Sequence, residues 1–497
     1  MRANTYSPVS RPQEFRLGGK VVSNRQTAWF GYCLCIALYA FVFSLWQIEP
    51  VPLNVQIIDT AVAALCIFPI ALWKARGSRE IPAFELICIA YLLAFASPLY
   101  LQKNQILIAS QLEKFSWEEM NHTLELVFIG MLAFLTGYYL IFQSKVHVRA
   151  LQIDLPMHPN KRHNFLKVAL IVGLPLVVLS GINVINLSAG PLASFLTTFR
   201  NLVYVAIVLL SYRVMRGQEN SLWKVVLYCA VALSALFGLA TGMLEAAIVP
   251  LLLLVIVWWN VSRRVPIALL VGGLCFFVIL NSVKMSYRSQ TWAQKANVGV
   301  VDRFGVWVDL LEGNGGASGK GSSFEDTFRS SMSRFDLLHQ FVRVQQLTPS
   351  TIPFYEGRSY GFLIYGWIPR FLWPDKPGAQ DANDIFGVDY GLLTAEQTSS
   401  TMIGIGHLPE AYANYGVWGI AFIMALQGMF LAAVGKMLNG PYSEGGKAIY
   451  LSVMVFFLNG IGSATASLFM SIPLTIIISG IILRFFALGW RVIPSQR

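Results

Sequence analysis

Charge is what this chain has least of: 13% of its 497 residues are Asp, Glu, Lys or Arg, against 55% hydrophobic, where soluble domains carry about 25% charged residues. A soluble, charge-coated globule is excluded, and so are the roughly three soluble domains that the length would otherwise allow. Also missing are GxxxxGK[ST], HExxH, CxxC and DxD patterns, so phosphate-loop, zinc-protease, thiol-pair and metal-dependent sugar-nucleotide chemistry have no anchor. The six cysteines (Cys33, Cys35, Cys66, Cys88, Cys229, Cys275) all sit in apolar runs, where they read as small core residues, and neither a disulfide framework nor a metal site is indicated. The first 27 residues carry Arg2, Arg11, Arg16, Lys20 and Arg25 against Glu14 and contain no apolar core for a signal peptidase, so 28–46 is expected to be an uncleaved first span.

What is present is apolar length. Runs near 28–46, 55–73, 84–101, 121–142, 165–187, 199–215, 223–242, 244–261, 265–283, 411–435, 448–470 and 472–489 predict about twelve transmembrane helices, each able to cross roughly 30 Å of hydrocarbon. The expected fold is an all-α polytopic membrane protein. With the N-terminus in the cytoplasm, every connection on that side is basic: Lys74, Arg76 and Arg79; Lys145, Arg149, Lys161 and Arg162; Arg213, Arg216 and Lys224; Arg263 and Arg264; Lys436 and Lys447; Arg491 and Arg497. The positive-inside rule is then met throughout and both termini lie inside. The net charge of +11 is spread as orientation signals beside spans instead of forming one basic face, so no nucleic-acid partner is expected. The plan is a basic cytoplasmic tail (1–27), nine spans (28–283), a large extracytoplasmic loop (284–407), three spans (408–489) and a short cytoplasmic tail (490–497).

Within the outer loop, 312–323 reads "EGNGGASGKGSS" and is expected to be flexible, whereas 324–347 has helical apolar spacing. The run "YGFLIYGWIPRFLWP" (360–374) is too short to span. The segment 359–374 is therefore expected to lie in the interface or to re-enter part-way, because Trp and Tyr favour the headgroup level and Pro369 interrupts a helix.

Several residues at this outer side suit an anionic or sugar ligand. Arg370 sits among Trp367, Phe371, Leu372 and Trp373, where a guanidinium can stack on aromatic planes and still offer its fork of N–H groups to phosphate, or simply snorkel at the interface. Arg358, Asp375 and Lys376 lie close by in sequence. Arg200, Lys284 and Arg288 fall at outward ends of spans, where the charge rule would not put them. Glu245, at the outer start of another span, is either a functional acid or a charge serving the helix N-terminus. His407, Glu410 and Asn414 follow steps of three and four that set them on one helix face. Either His407 or Glu410 could act as general base toward a sugar hydroxyl, or they could cap and pack.

The ordered blocks "GRSYG" (357–361), "IPRFLWPDKPG" (368–378) and "GHLPEAYANYGVWG" (406–419), set in a large outer loop after many spans, resemble the Wzy-type oligosaccharide repeat-unit polymerases. The resemblance implies a GT-C-like fold in the bacterial inner membrane and an active site facing the periplasm. It also implies polymerisation of undecaprenyl-pyrophosphate-linked oligosaccharide into O-antigen, capsule or exopolysaccharide, with neither cofactor nor metal. Membrane lipid and a chain-length regulator would be its partners. By the same resemblance Arg370 and Lys376 contact the lipid pyrophosphate, and Glu410 falls in the family's acidic motif. One departure is "ATGMLEAAIVP" (240–250), where Glu245 stands near the place at which many relatives carry an arginine. A glycan ligase shares the donor and the membrane side. A lipid-linked oligosaccharide transporter should instead show mid-span charge, which is almost absent here.

Overall fold

In hydrocarbon a backbone can satisfy its N–H and C=O groups only within a helix or a closed barrel, and the apolar runs form helices. The computed structural model describes the chain apart from residues 1–14, 18–19, 23, 79, 109–110, 145–158, 183–192, 263, 265–266, 293–298, 313–323, 366–367, 369–371, 374, 376, 379–380, 400–402, 441–443, 470 and 487–497. A hairpin of β1 (Phe15–Leu17) and β2 (Lys20–Val22) precedes α1 (Asn24–Trp46) and α2 (Leu53–Ala75). Then come α3 (Ala83–Phe95), the short α4 (Pro98–Leu101), a second hairpin of β3 (Gln105–Ile108) and β4 (Gln111–Lys114), and α5 (Trp117–Gln143). Five long helices follow: α6 (Pro159–Gly181), α7 (Ala193–Met215), α8 (Ser221–Ala240), α9 (Leu244–Ser262) and α10 (Ile267–Trp292). The loop segment contributes α11 (Val300–Leu311), α12 (Phe324–Met332), α13 (Leu338–Leu347), α14 (Gly361–Tyr365) and α15 (Asp381–Asp389). The chain closes with α16 (His407–Leu438), α17 (Glu444–Gly460), α18 (Thr465–Phe469) and α19 (Ser471–Phe486).

Among the described residues ten helices are long and apolar enough to cross a membrane, so the chain is a multi-pass membrane protein of the all-α class. The two further runs expected to span, near 448–470 and 472–489, form shorter helices. The apolar run at 448–470 is not one helix: α17 ends at Gly460, and α17 and α19 have 17 and 16 residues. The break has a physical reason. Ala464 N–H donates to Asn383 Oδ1 (2.8 Å) and Thr465 N–H to Glu410 Oε2 (2.6 Å), so side chains from other segments take up backbone donors that a continuing helix would have used. The stretch 324–347 is likewise split, by a 3-10 turn at Ser333–Phe335. The expected flexible segment lies almost wholly outside the described residues.

The core runs along α5 and α16, which cross so closely that glycines are required. A Cβ on Gly428 would lie 2.1 Å from Phe134 O, and one on Gly137 2.1 Å from Ala425 O. Small residues let two backbones approach in a membrane, where packing replaces the hydrophobic drive.

The two ends of the bundle differ in how their charge is met. At the end carrying the basic connections, Arg213 bonds to Glu219, Arg216 to Glu444, and His163 to Glu219 at 3.1 Å with its ring stacked on Trp223. Burial would raise the Glu219 carboxyl, but the hydrogen bonds from Arg213 and His163 outweigh it and hold the group below the usual carboxylate range. Basic side chains here are largely structural.

Candidate functional site

At the opposite end, α16 is two helical pieces. Tyr415 (φ −143°, ψ 18°) and Gly416 (φ 62°, ψ −146°) leave helical geometry, and Gly416 supplies a left-handed conformation that a side chain would strain. The carbonyls freed by the break are not wasted. Tyr355 N–H donates to Ala413 O (2.9 Å) and Glu356 N–H to Asn414 O (3.2 Å), while Gly357 N–H donates to Asn414 Oδ1 (2.9 Å). The sequence pattern that sets His407, Glu410 and Asn414 on one face is therefore realised on a short buried piece ahead of the span. All three are fully buried.

Glu410 is the centre of a polar hub. Ser359 Oγ donates to Glu410 Oε1 at 2.7 Å and Thr465 N–H to Glu410 Oε2, while Asn414 Nδ2 donates to Ser359 Oγ (2.9 Å) and to Glu410 O (2.8 Å). With both oxygens already accepting, Glu410 ties the 357–361 and 463–465 segments together instead of facing an open surface. His407 Nδ1 bonds to Tyr91 Oη at 3.1 Å, and its Nε2 is buried without a partner. Glu410→Gln replaces one acceptor with an amide donor facing a donor, a mismatch costing about 1–3 kcal/mol. The expected result is a lower melting temperature in detergent and faster proteolysis within 357–361, with helix content unchanged by circular dichroism.

From this hub an apolar groove of about 760 Å³ runs down α16, with Tyr360 and Thr465 at its head and Trp418, Phe422 and Phe430 along it. Trp418 to Phe430 spans ~18 Å of helix. Burial and the Glu410 carboxylate raise the Tyr360 phenol well above its ordinary range, so it stays a neutral O–H donor, and its buried Oη has no partner among the described residues. Gln427 donates to Thr465 Oγ1 (3.4 Å) and leaves its Oε1 unpartnered. A long apolar channel headed by unused polar atoms suits a ligand with a greasy tail and a polar end.

The second feature at this end is a set of cations. Glu245, exposed in the first turn of α9, is within electrostatic reach of Lys284 on α10 and Arg200 on α7. Lys284 is in turn within reach of Arg288 and of Arg334 in the 3-10 turn after α12. Arg288 Nε donates to Gly242 O at 3.1 Å, and partial burial together with the Arg334 charge holds its guanidinium below the ordinary arginine range. Among the described residues Arg200, Lys284 and Arg334 form no ion pair, and Arg200 Nε is buried without a partner. Other arginines of this end are occupied: Arg303 Nη1 donates to Gly181 O (3.1 Å), Arg329 Nη2 to Trp46 O (3.1 Å), and Arg343 Nη1 to Glu113 Oε1 (2.8 Å). Four cations linked through Lys284 and a single acid, Glu245, leave surplus positive charge for an anion.

The comparisons bear on this arrangement as a whole. The chain belongs to the DUF8712 family. That family's model, described as a domain of unknown function, matches residues 85–488. No curated protein and no solved structure matches the chain. The DUF8712 match takes in α3 to α19, and so the hub, the groove and all four cations.

The structure thus links Arg200, Glu245, Lys284 and Arg288 through successive charge contacts at the end opposite the basic connections. Arg334, which the sequence reading missed, joins them: an arginine in a polar loop carries no signal until the loop folds over α10. Arg370, Lys376 and Trp367 lie outside the described residues. Arg358 and Asp375 are exposed, and Trp373 packs its ring edge on Tyr365 at 5.6 Å. Among the described residues no group of three or more His, Cys, Asp or Glu is placed to hold a metal.

Proposed function

We propose that the protein is a membrane glycosyltransferase that polymerises lipid-linked oligosaccharide repeat units, moving the growing glycan from undecaprenyl pyrophosphate to the next lipid-linked unit on the outer face of the bacterial inner membrane. The observation that carries this reading is the surplus of positive charge at Arg200, Lys284, Arg288 and Arg334, at the end opposite the basic connections. Cleavage of a glycosyl phosphate bond builds negative charge on the departing pyrophosphate. Fixed cations stabilise that charge more in the transition state than in the ground state, which is the condition for accelerating the chemistry.

The groove along α16 supports the same reading, since a polyprenyl tail needs an apolar path that stays in the bilayer while its head meets polar groups. The break at Tyr415–Gly416 fits as well, because irregular backbone at membrane depth is tolerated where it lines a cavity. In this reading α17 and α19 are the last two of twelve crossings, the arrangement is GT-C-like, both termini are cytoplasmic, and a chain-length regulator sets the product distribution. Arg370 and Lys376 add to the pyrophosphate contacts, and no nucleotide, cofactor or metal takes part.

Purified protein in vesicles, supplied with undecaprenyl-pyrophosphate-linked repeat units extracted from the cells that carry it, should yield a ladder of oligomers by gel without added nucleotide sugar or divalent metal. A single transfer per acceptor would make it a ligase. Movement of the lipid between leaflets without transfer would make it a transporter and overturn the enzyme reading.

A further inference from the structure

The strap that carries Arg334 continues into a second pocket unrelated to the groove. This pocket, of about 490 Å³, lies between the strap, the β3–β4 hairpin and the end of α4, and its wall includes Gln102, Gln105, Ser333, Asp336, His339 and Gln340, a volume ordinary for a small-molecule site. Its chemistry is that of a polyol site. Amides and hydroxyls both donate and accept, as sugar hydroxyls do, and Gln340 Oε1 is buried with no partner. Of the two cations in its wall, Arg329 is held by Trp46 O and Tyr100 O, and Lys103 is exposed beside Gln102 and Gln105.

Within it Asp336 and His339 form a dyad. Asp336 Oδ1 accepts from His339 N–H at 3.2 Å, and Asp336 Oδ2 meets His339 Nδ1 at 2.7 Å, while the Phe115 ring stacks on the imidazole at 6.1 Å. A carboxylate on Nδ1 keeps the ring proton there and leaves the Nε2 lone pair free. Nε2 makes no hydrogen bond among the described residues and is not among the buried unpartnered atoms. Capping of α13 explains Asp336 Oδ1 but neither Oδ2 nor the position of the imidazole in a pocket wall. Five residue steps run from Arg334 to His339, a backbone span of at most ~18 Å, so one short strap carries both a member of the cation cluster and the pocket's imidazole.

Resting on the glycosyltransferase reading, we propose that this pocket holds the acceptor sugar of the incoming lipid-linked unit and that His339 Nε2 accepts the proton of its attacking hydroxyl. As the acceptor oxygen bonds to the donor's anomeric carbon, the bond from that carbon to the phosphate oxygen breaks and its electron pair leaves with the pyrophosphate. The hydroxyl proton passes to Nε2 and later to water. Asp336 is a positioning residue that fixes the imidazole.

The test uses full-length protein in vesicles with the extracted lipid-linked unit. His339→Ala should slow oligomer growth ~10²-fold or more with KM little changed, and added imidazole should restore part of the rate, which a purely structural role would not allow. Asp336→Asn keeps an oxygen for the helix cap and should lower kcat by a smaller factor without lowering the melting temperature. Should His339→Ala prove unstable, His339→Gln takes its place. Full-rate growth in the folded His339 variant would overturn the proposal while leaving the polymerase reading intact. A separate arm measures binding of the free repeat-unit oligosaccharide by saturation-transfer NMR. Binding to the wild type that is lost in Gln340→Leu supports the pocket even if no polymer forms, and equal binding, or none, overturns it.

Discussion

Arg334→Ala is expected to cut oligomer growth in vesicles by ~10²–10³-fold, the size of effect seen when one fixed donor to a developing anion is removed, while leaving the melting temperature unchanged. The expectation of unimpaired folding follows from the structure: Arg334 is exposed and makes no hydrogen bond or ion pair among the described residues, so nothing is orphaned by its loss. Arg288→Ala should be as damaging to growth and somewhat destabilising, because its Nε also holds Gly242 O. Arg334→Lys should recover only part of the rate, since an ammonium is a point charge and cannot present two parallel N–H groups to a phosphate. Normal ladders from Arg334→Ala, Arg288→Ala and Lys284→Ala would remove the cluster from the chemistry and leave the groove as the remaining lipid site.

Gly428→Val should prevent stable assembly of the bundle. The added Cβ would sit 2.1 Å from Phe134 O and 2.9 Å from Tyr138 N, and both are backbone atoms of α5 that cannot rotate away. Overpacking usually costs ~1–3 kcal/mol, occasionally more, and two helix axes forced apart also lose the contacts along the rest of the crossing. Folded protein recovered from membranes in a monodisperse peak should fall to a small fraction of the wild-type amount. Gly272→Ala is the control: a Cβ there meets nothing within 4 Å, and alanine favours a helix over glycine by about 1 kcal/mol. If Gly428→Val were as abundant and monodisperse as Gly272→Ala, the α5–α16 crossing would be looser than described.

Parts of the site were legible because they break a rule that the sequence itself states. Arg200, Lys284 and Arg288 stand at span ends opposite the basic connections, where the charge bias would not put them; Arg200 and Lys284 meet Glu245, and Arg288 meets Lys284. His407, Glu410 and Asn414 were legible as a face, but their roles were not. Those depend on the break at Tyr415–Gly416, which turns the start of an apparent span into a separate buried piece with its carbonyls answered by Tyr355 and Glu356. Arg334 and the Asp336–His339 pair gave a local pattern compatible with any solvated loop.

The sequence by itself determined that the chain crosses a membrane many times as helices and on which end its basic connections gather, because apolar length and charge bias act locally against a uniform solvent. Only the tertiary structure decided where the last apolar runs break, which arginines are occupied and which stand free, and which loop closes over α10. Those outcomes follow from competition for hydrogen-bond and ion partners far apart in sequence: Asn383 and Glu410 capture the backbone at 464–465, and Glu113 occupies Arg343. A partner that arrives from 55 to 230 residues away leaves no trace in the local pattern.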